Sequence, residues 1–431
     1  MDKRVIEYIE KCPDEYKKQE LLDKYTEHNI DVNFANQIHY FKTTVFGKTK
    51  KMARFKDKFS YEFILVKELN YILKDLLKPN IKTTNELGFE LVSSLEKIND
   101  EKFTIIQLDF KKYFPSLSSK YLYEFFLKDK LQEEDKPLFE NYVNQVHYCN
   151  PGLLPSNLMA ELASNEFKIE LLKHFKNQKI ITSLSYVDDF LIIFNDILDK
   201  NFIVNEVLKC IKNVFYKDNN IKYKNKTKIH LSGDKFRIFT SKDTPADFNY
   251  LGCTYNLDIK DNKLDFSFGF YSKKLDFYKM KIFEMVKNNY NNPKLLKQML
   301  FTNTKRVIIK VPTSRRKYVD LSPYQFYKNM KEYSKYLNEE TLYFFKNVIT
   351  DAFVCQGLEL PYYLKDKNIN SGYNLYHNFT NNRCVTLSKK FGYPRKKLIK
   401  ILSDFTNENL NIYSYDKLCE LYIKLFYLKV K

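Results

Sequence analysis

Two short apolar stretches, residues 180–185 and 190–194, flank the turn 186–189, which carries Asp188 and Asp189. Each stretch has the length of a β-strand, and a turn between two such strands predicts an antiparallel hairpin. The two adjacent acids repel each other and lose hydration when the strands around them are buried. The segment therefore predicts a sheet with paired carboxylates at one of its ends.

A third strand is predicted at residues 103–108, an apolar and β-branched run that ends at Asp109. Because neighbouring antiparallel strands lie about 4.8 Å apart, this acid and the two acids of the hairpin turn can meet at one edge of a sheet. Carboxylate oxygens are the hard ligands that Mg²⁺ prefers. Asp109, Asp188 and Asp189 are accordingly predicted to hold metal.

Phosphoryl transfer from a nucleoside triphosphate is the chemistry that uses such a site. It needs two Mg²⁺ ions about 4 Å apart, one to activate an attacking hydroxyl and one to hold the triphosphate and its leaving group. We expect Asp109 and Asp188 to bridge the two ions, with Asp189 beside them, and Mn²⁺ is an alternative metal. The Phe110 carbonyl is a candidate for a further ligand. The predicted catalytic residues are therefore Asp109, Asp188 and Asp189.

The chain of 431 residues carries 72 Lys and Arg against 53 Asp and Glu, a formal net charge of +19. Such an excess attracts a polyanion, because each phosphate that is neutralised releases condensed counterions. Nucleic acid is the first candidate partner, and an anionic membrane surface is the second. A lysine-rich composition without such a partner is the alternative, so charge supports nucleic-acid binding without identifying it.

Seven cysteines are spread singly along the chain, without C-x-x-C spacing and in an odd number. This pattern argues against a disulfide framework and against a zinc ribbon. The sequence has no run of the roughly 20 apolar residues that a membrane span needs, and its N-terminus lacks the apolar core of a signal peptide. We therefore expect a cytoplasmic protein with reduced thiols and no membrane partner.

Three segments of the chain differ in pattern. Residues 1–40 have helical periodicity and are predicted to form an N-terminal helical extension. Residues 41–270 mix strands and helices in an order typical of an α+β domain with an antiparallel sheet. Residues 271–431 are almost wholly helical in pattern, as a thumb-like domain or a helical repeat. Basic clusters at 305–306 and 315–317 lie among tyrosines and form either a nucleic-acid track or an ordinary solvated surface.

Five short motifs follow one another along the chain: residues 107–114, 152–157, 186–189, 225–227 and 250–252. In their order and spacing they resemble the motifs of the reverse transcriptases. The resemblance covers about residues 40–270, which it identifies as fingers and palm. It implies a right-hand polymerase fold with two bound Mg²⁺ ions, and it implies deoxynucleoside triphosphates (dNTPs) and RNA or DNA as partners.

The resemblance also implies roles for individual residues. Phe114 has, by its spacing from Asp109, the position of an aromatic gate beneath the nucleotide sugar, and Tyr113 is the near alternative. Pro155, Ser156 and Asn157 of the second motif are implied to support the template and the incoming base. Lys226 of the fourth motif is implied to approach the triphosphate. Tyr250, Leu251 and Gly252 of the fifth motif are implied to form the primer grip.

Two features depart from a full match to this family. The second motif has Ser156 and Asn157 where the family has Gln and Gly, which leaves open a polymerase with relaxed or absent template dependence. The fingers resemble the family weakly. There, Arg54, Lys56 and Lys58 are candidates to contact the triphosphate, and an exposed basic loop is the alternative.

A compact palm followed by a long helical region resembles the bacterial abortive-infection and defence-associated reverse transcriptases (AbiK-like). That resemblance implies DNA synthesis directed against phage, untemplated or primed from a protein tyrosine, and often in a homo-oligomer. Two alternatives stay open. One is a retron or group II intron-type reverse transcriptase that uses a dedicated structured non-coding RNA, and the other is a non-catalytic RNA-binding scaffold.

Overall fold

The computed structural model describes residues 2–45, 48–77, 82, 84–98, 102–217, 229–231, 236–308, 318–319, 330–365, 373–380, 385–387, 393–426 and 428–429. The chain divides into two compact units. The first comprises Met1–Lys82 with Lys102–Lys242, and the second comprises Thr83–Glu101 with Asp243–Lys431. The sequence predicts domain boundaries after residues 40 and 270, whereas the compact units divide at Lys242 and include residues 1–40 in the first.

The α-helices among the described residues are, in chain order, α1 (Lys3–Ile9), α2 (Glu15–Glu27), α3 (Tyr61–Leu77), α4 (Thr84–Glu96), α5 (Tyr113–Ser116), α6 (Ser119–Leu122), α7 (Lys136–Gln145), α8 (Leu154–His174), α9 (Lys200–Phe215), α10 (Ser272–Asn289), α11 (Pro293–Lys305), α12 (Glu339–Val354), α13 (Tyr362–Lys365), α14 (Leu375–Thr380), α15 (Arg395–Ser403) and α16 (Tyr415–Phe426). Short 3₁₀ helices lie at Ala35–Gln37, Lys128–Lys130, Ser241–Asp243, Met330–Tyr336 and Leu410–Ile412, and a turn of π-helix lies at Tyr123–Leu127.

The β-strands are β1 (Ile38–Val45), β2 (Lys48–Phe55), β3 (Thr104–Asp109), β4 (Ile180–Tyr186), β5 (Asp189–Phe194), β6 (Arg237–Thr240), β7 (Ala246–Tyr250), β8 (Cys253–Lys260), β9 (Lys263–Phe270), β10 (Arg306–Ile308), β11 (Tyr318–Val319), β12 (Val385–Leu387) and β13 (Leu428–Lys429). Both strands of the predicted hairpin and the predicted strand before Asp109 are thus confirmed as β4, β5 and β3.

A four-stranded antiparallel sheet with the order β4-β5-β3-β6 forms the centre of the first unit. Successive side chains of a strand point to opposite faces, and on one face Leu108 of β3 and Phe190 of β5 lie opposite each other in the hydrophobic core. Phe167 of α8 and Phe215 of α9 extend this core, with ring centres 5.1 and 5.6 Å from that of Phe110. Burial of each such side chain stabilises the fold by about 2 kcal/mol. The other face of β3 and β5 is also apolar, with Ile105, Leu191 and Ile193 buried.

Residues 1–40 form α1 and α2, and both helices contact α3 within the first unit. The Asp2 carboxylate caps α1 by accepting from the Arg4 N–H. Tyr25 of α2 is fully buried, and its hydroxyl donates to the Glu68 carboxylate of α3 at 2.8 Å. The N-terminal helices therefore contribute to the core of this unit.

The second unit contains the antiparallel sheet β7-β8-β9 and the helices from α10 onward. Gly269 of β9 packs against the start of α12 so closely that a Cβ there would lie 2.1 Å from the Asn338 side chain. Asn338 caps α12, because its side-chain oxygen accepts from the Thr341 N–H at 3.0 Å. Most of the residues that the structure describes after residue 271 lie in helices, and the short strands β10 to β13 were not predicted.

An α+β class with antiparallel sheets is confirmed, and the arrangement as fingers, palm and thumb stays a prediction. None of the described helices is both long and apolar enough to cross a membrane. The cysteines that the structure describes are free thiols, all buried except Cys355: Cys12, Cys149, Cys210, Cys253, Cys355 and Cys419.

Candidate active site

The three predicted acids lie at one end of the four-stranded sheet. Asp109 is the last residue of β3 and pairs with Asp189, the first residue of β5. Asp188 lies in the two-residue turn between β4 and β5. Opposite residues of an antiparallel pair project from the same face, with Cβ atoms about 5 Å apart. Asp109 and Asp189 therefore share a face, and it is opposite to the face that carries Leu108 and Phe190.

These carboxylates are poorly hydrated. Asp109 is 4% exposed. Burial raises the pKa of Asp188, and at Asp189 burial together with the neighbouring charge of Asp188 raises the pKa to about 7. The positive charge of Lys50, an exposed residue of β2, counteracts both shifts in pKa. Asp188 and Asp189 thus form an unfavourable pair of negative charges that a cation would relieve.

The raised pKa of Asp189 makes the stability of the metal-free chain depend on pH. An acid with a higher pKa in the folded chain binds its proton more tightly there than in the unfolded chain, so the fold loses stability as pH rises from about 4 to above about 7. In metal-free buffer we expect Asp189→Asn to raise the free energy of unfolding by about 2 kcal/mol at pH 8 and to change it little at pH 4. Denaturant unfolding of both proteins measures this, and an equal difference at the two pH values would contradict it.

In the described part of the chain, no three His, Cys, Asp or Glu side chains converge closely enough to hold a metal ion. The aspartates are thus neighbours in the sheet without being gathered around one point, as repulsion between carboxylates favours. The donor set itself fits a hard divalent cation, because it consists of carboxylate oxygens. A bound cation would stabilise their ionised form, which burial disfavours. Two Mg²⁺ ions, and the Phe110 carbonyl as a ligand, stay predictions.

A cavity of about 1020 Å³ lies between the β1–β2 hairpin and the segment that follows β3. This volume is large enough for a nucleotide-sized ligand. Its lining combines aromatic and basic residues: Tyr40, Phe41, Tyr113, Phe114, Lys42, Lys50, Lys51 and Lys112. Such a lining suits a ligand with a flat ring and negative charge.

Tyr113 and Phe114, the two candidates for the aromatic gate, have different surroundings. Tyr113 is 2% exposed and stacks on Phe110 with ring centres 5.4 Å apart. Its hydroxyl lies 3.0 Å from the Ala160 carbonyl and 2.8 Å from the Ser164 hydroxyl. Phe114 is half-buried at the wall of the cavity. Phe114 therefore has the better access to a ligand there.

The segment before α8 joins β2 through its backbone. The Ala53 N–H donates to the Pro151 carbonyl at 2.9 Å. Gly152 has a φ of 100°, and a Cβ at this residue would lie 2.4 Å from the Ala53 carbonyl oxygen. Only glycine allows so close an approach at a positive φ. The second motif thus holds the β1–β2 hairpin beside the sheet of the first unit.

The residues expected to contact the incoming base occupy the first turns of α8. Pro155 and Ser156 are buried, with Ser156 1% exposed, whereas Asn157 is exposed. Asn150 and Pro151, which precede this turn, line the cavity in their place. A direct role for the Ser156 side chain at the cavity is therefore not apparent in the structure.

The basic residues chosen from the sequence lie along and after β2. The Arg54 guanidinium lies over the Phe41 ring, 5.2 Å from its centre. The Lys56 ammonium donates to the Asn36 carbonyl at 2.5 Å, and Lys58 is exposed. The lysine whose charge reaches the aspartates is Lys50, which the sequence interpretation missed. The alternation of side chains along β2 places Lys50 on one face with Arg54, but it does not tell which end of that face lies near the acids.

Lys226 lies outside the described residues, but the chain just beyond it is described. The His230 carbonyl accepts from the Lys111 N–H at 2.9 Å, and Leu231 forms an antiparallel bridge with Phe110. The described residues 229–231 therefore lie beside the end of β3, next to Asp109.

Tyr250, Leu251 and Gly252 belong to the second unit. Leu251 and Gly252 form the two-residue turn between β7 and β8, with φ of 51° and 80°. The predicted turn is thus observed, and its role as a primer grip stays a prediction. Of the two basic clusters in the C-terminal part, residues 305–306 lie where α11 meets β10, and residues 315–317 lie outside the described residues.

The fold and the site define a class, namely an α+β protein in which an antiparallel sheet brings three aspartates to one end. No family model matches the chain, and no curated protein matches it. Among solved structures it is similar to telomerase from Candida albicans in complex with the TWJ fragment of telomeric RNA. The TM-score is 0.36 and the identity 10%, over 97% of this chain and 71% of that chain. A TM-score this low assigns neither a shared fold nor a function.

Proposed function

We propose that the chain is a metal-dependent nucleotidyltransferase, a nucleic-acid polymerase of the reverse-transcriptase type that adds dNTPs to a 3′-hydroxyl or to a protein hydroxyl. The observation that carries this proposal is the pairing of Asp109 with Asp189 across β3 and β5, with Asp188 in the adjoining turn. Burial and mutual repulsion oppose this arrangement in the metal-free chain. Costly clusters of this kind are typical of functional sites.

Each group near the cavity has a chemical task in this proposal. Asp109, Asp188 and Asp189 supply the oxygen ligands of two Mg²⁺ ions, which would activate the attacking hydroxyl and stabilise the charge of the triphosphate. Lys50 is placed to neutralise phosphate oxygens of the incoming nucleotide. Phe114 offers an apolar wall to its sugar.

Nucleotide incorporation by the purified protein tests this function. We expect labelled dNTPs to be incorporated in the presence of Mg²⁺ or Mn²⁺, and EDTA to stop the reaction. Omitting the RNA or DNA template separates templated from untemplated synthesis. Sequencing of co-purifying nucleic acid before and after protease digestion then shows whether the product is attached to protein.

The positive charge at Lys50 is expected to act on nucleotide binding. We predict that Lys50→Gln raises the KM for dNTP about 10-fold and changes kcat less, because a charge-assisted contact to phosphate is worth about 1.5–3 kcal/mol. Steady-state kinetics of incorporation measure both constants. Lys58→Gln tests the candidate chosen from the sequence. A larger rise in KM for Lys58→Gln than for Lys50→Gln would contradict the role proposed for Lys50.

Bacterial defence against phage is the cellular setting that we propose, with RNA or DNA and dNTPs as partners and a homo-oligomer as the assembly. Support for it is the order of the sequence motifs and the long, mainly helical region after them. In this setting, we expect phage to form fewer plaques on cells that express the wild-type chain than on cells that express Asp188→Asn.

A non-catalytic RNA-binding scaffold is the second candidate. The observation in its favour is that the acids do not converge on one point among the described residues. Asp109→Asn and Asp188→Asn separate the two functions. A scaffold keeps its biological activity in both variants, whereas a polymerase loses it while RNA binding is retained.

A further inference from the structure

Val187, the first residue of the turn between β4 and β5, has a φ of 56°. This is the left-handed region, where β-branched residues are rarely found. The Val187 side chain nevertheless packs against the core of the first unit. Such a conformation persists only where the surroundings over-determine it. Specific contacts must therefore hold this turn.

Helix α8 provides such a contact through Ser164, which is 1% exposed. The Ser164 hydroxyl donates to the Val187 carbonyl. It also lies 3.0 Å from the Ala160 carbonyl, one helical turn earlier, which is the usual acceptor for a serine inside a helix. A serine hydroxyl has one proton to donate, so the two carbonyls compete for it.

The hydroxyl of Tyr113 takes part in this network. It lies 2.8 Å from the Ser164 hydroxyl and 3.0 Å from the Ala160 carbonyl. If Tyr113 donates to Ser164, it occupies a Ser164 lone pair, and Ser164 keeps its proton for the Val187 carbonyl. If Tyr113 donates to Ala160, Ser164 can donate to the Tyr113 oxygen instead, and the bond to Val187 is lost. The arrangement in which Tyr113 donates to Ser164 is therefore the one that supports the hydrogen bond to Val187.

Both hydroxyls lie in a largely apolar core. Tyr113 stacks on Phe110, and Phe110 contacts Phe167 of α8. A buried hydroxyl destabilises a fold unless it is hydrogen-bonded. Both hydroxyls meet this condition, because they contact each other and the carbonyls of Ala160 and Val187.

The Val187 carbonyl belongs to the peptide group that leads into Asp188. In a trans peptide the C=O and the N–H point in opposite directions, so a carbonyl bound to α8 turns the N–H away from that helix. The nitrogen of this peptide is bonded to the Asp188 Cα, so the orientation of the peptide influences the direction in which the Asp188 side chain leaves the backbone. One peptide group therefore links Ser164 to the orientation of the catalytic carboxylate.

We propose that Tyr113 and Ser164 are positioning residues that orient the Asp188 carboxylate through the Val187–Asp188 peptide. The inference rests on the function proposed above, and it gives Tyr113 a role in the site that differs from that of an aromatic gate. Neither hydroxyl contacts the nucleotide or the metal in this arrangement. Their loss should weaken metal binding while the fold is retained.

Mn²⁺ binding to the full-length chain, followed through the electron paramagnetic resonance signal of free Mn²⁺, tests this role without a primer or a template. We expect Ser164→Ala to weaken Mn²⁺ binding about 10-fold, a loss typical of residues that orient metal ligands. Tyr113→Phe should give a smaller loss, and Ser164→Thr, which keeps the hydroxyl, should restore binding. The matched control is Ser119→Ala, a serine that is also 1% exposed and does not contact the turn.

The outcomes of this experiment are separable. Equal Mn²⁺ affinity in the wild type, Ser164→Ala and Tyr113→Phe would overturn the positioning role and leave the proposed function standing. A wild-type chain that does not bind Mn²⁺ would overturn the proposed metal site, and this inference with it. If Ser164→Ala does not fold, Tyr113→Phe decides, because it removes a single oxygen. Weaker binding then supports the role, and unchanged binding overturns it.

Discussion

Asp188→Ala will lower the rate of nucleotide incorporation by about 10⁴-fold, because a lost metal ligand removes several kcal/mol of transition-state stabilisation. Asp188→Asn, which keeps the size of the side chain, should lose nearly as much, since it is the negative charge that binds the metal. Single-turnover incorporation of a labelled dNTP measures this effect. The same measurement with Asp109→Asn should give a loss of similar size.

A matched control for these variants is Asp129→Asn, which changes an exposed acid in the 3₁₀ helix Lys128–Lys130 of the same unit. It should retain wild-type incorporation. Mg²⁺ should raise the melting temperature of the wild type and of Asp129→Asn, but not that of Asp188→Ala, because a ligand stabilises only a fold that binds it. Incorporation that survives in Asp188→Ala would exclude the assigned site.

Gly152→Ala is expected to destabilise the first unit by about 3 kcal/mol, from a strained positive φ and from overlap with the backbone. The added Cβ would lie 2.4 Å from the Ala53 carbonyl oxygen, so the overlap cannot be relieved by a side-chain rotation. The β1–β2 hairpin must then move, and Lys50 moves with it. Hydrogen exchange of the full-length chain should show faster exchange of the β2 amides, and the KM for dNTP should rise.

Two other glycines separate strain from overlap. Gly357 has a φ of 67° with no atom within 4 Å of an added Cβ, so Gly357→Ala tests strain alone. Gly88 lies inside α4 and is also free of such contacts, so Gly88→Ala should stabilise that helix by about 1 kcal/mol. If Gly152→Ala lowers the free energy of unfolding no more than Gly357→Ala does, the backbone of Gly152 approaches Ala53 less closely than described.

The elements that carry the acids could be predicted from local pattern. The apolar runs before Asp109 and around the Asp188 turn have the length of strands, and they form β3, β4 and β5. The long helix that starts near Pro155 was also predicted, and it is α8. These signals are readable because strand and helix periodicities depend on residues that are neighbours along the chain.

The contacts around the acids could not be predicted in the same way. The sequence interpretation named Arg54, Lys56 and Lys58 as candidates to contact the triphosphate, with an exposed basic loop as the alternative, and it could not show that the charge of Lys50 acts on Asp188 and Asp189. It also left Phe114 and Tyr113 as alternatives, and only burial separates them. Ser164 had no distinguishing signal, because a serine inside an apolar helix resembles any other small core residue.

By itself, then, the sequence determined that two apolar strands meet at Asp188 and Asp189 and that a third strand ends at Asp109. The tertiary structure decided that Asp109 pairs with Asp189, that the charge of Lys50 acts on Asp188 and Asp189, and that Ser164 donates to the turn. The physical reason is the range of the interactions. Backbone periodicity and turn formation act over a few residues, whereas the register between β3 and β5 and the hydrogen bond from α8 arise when distant segments bury their apolar faces together.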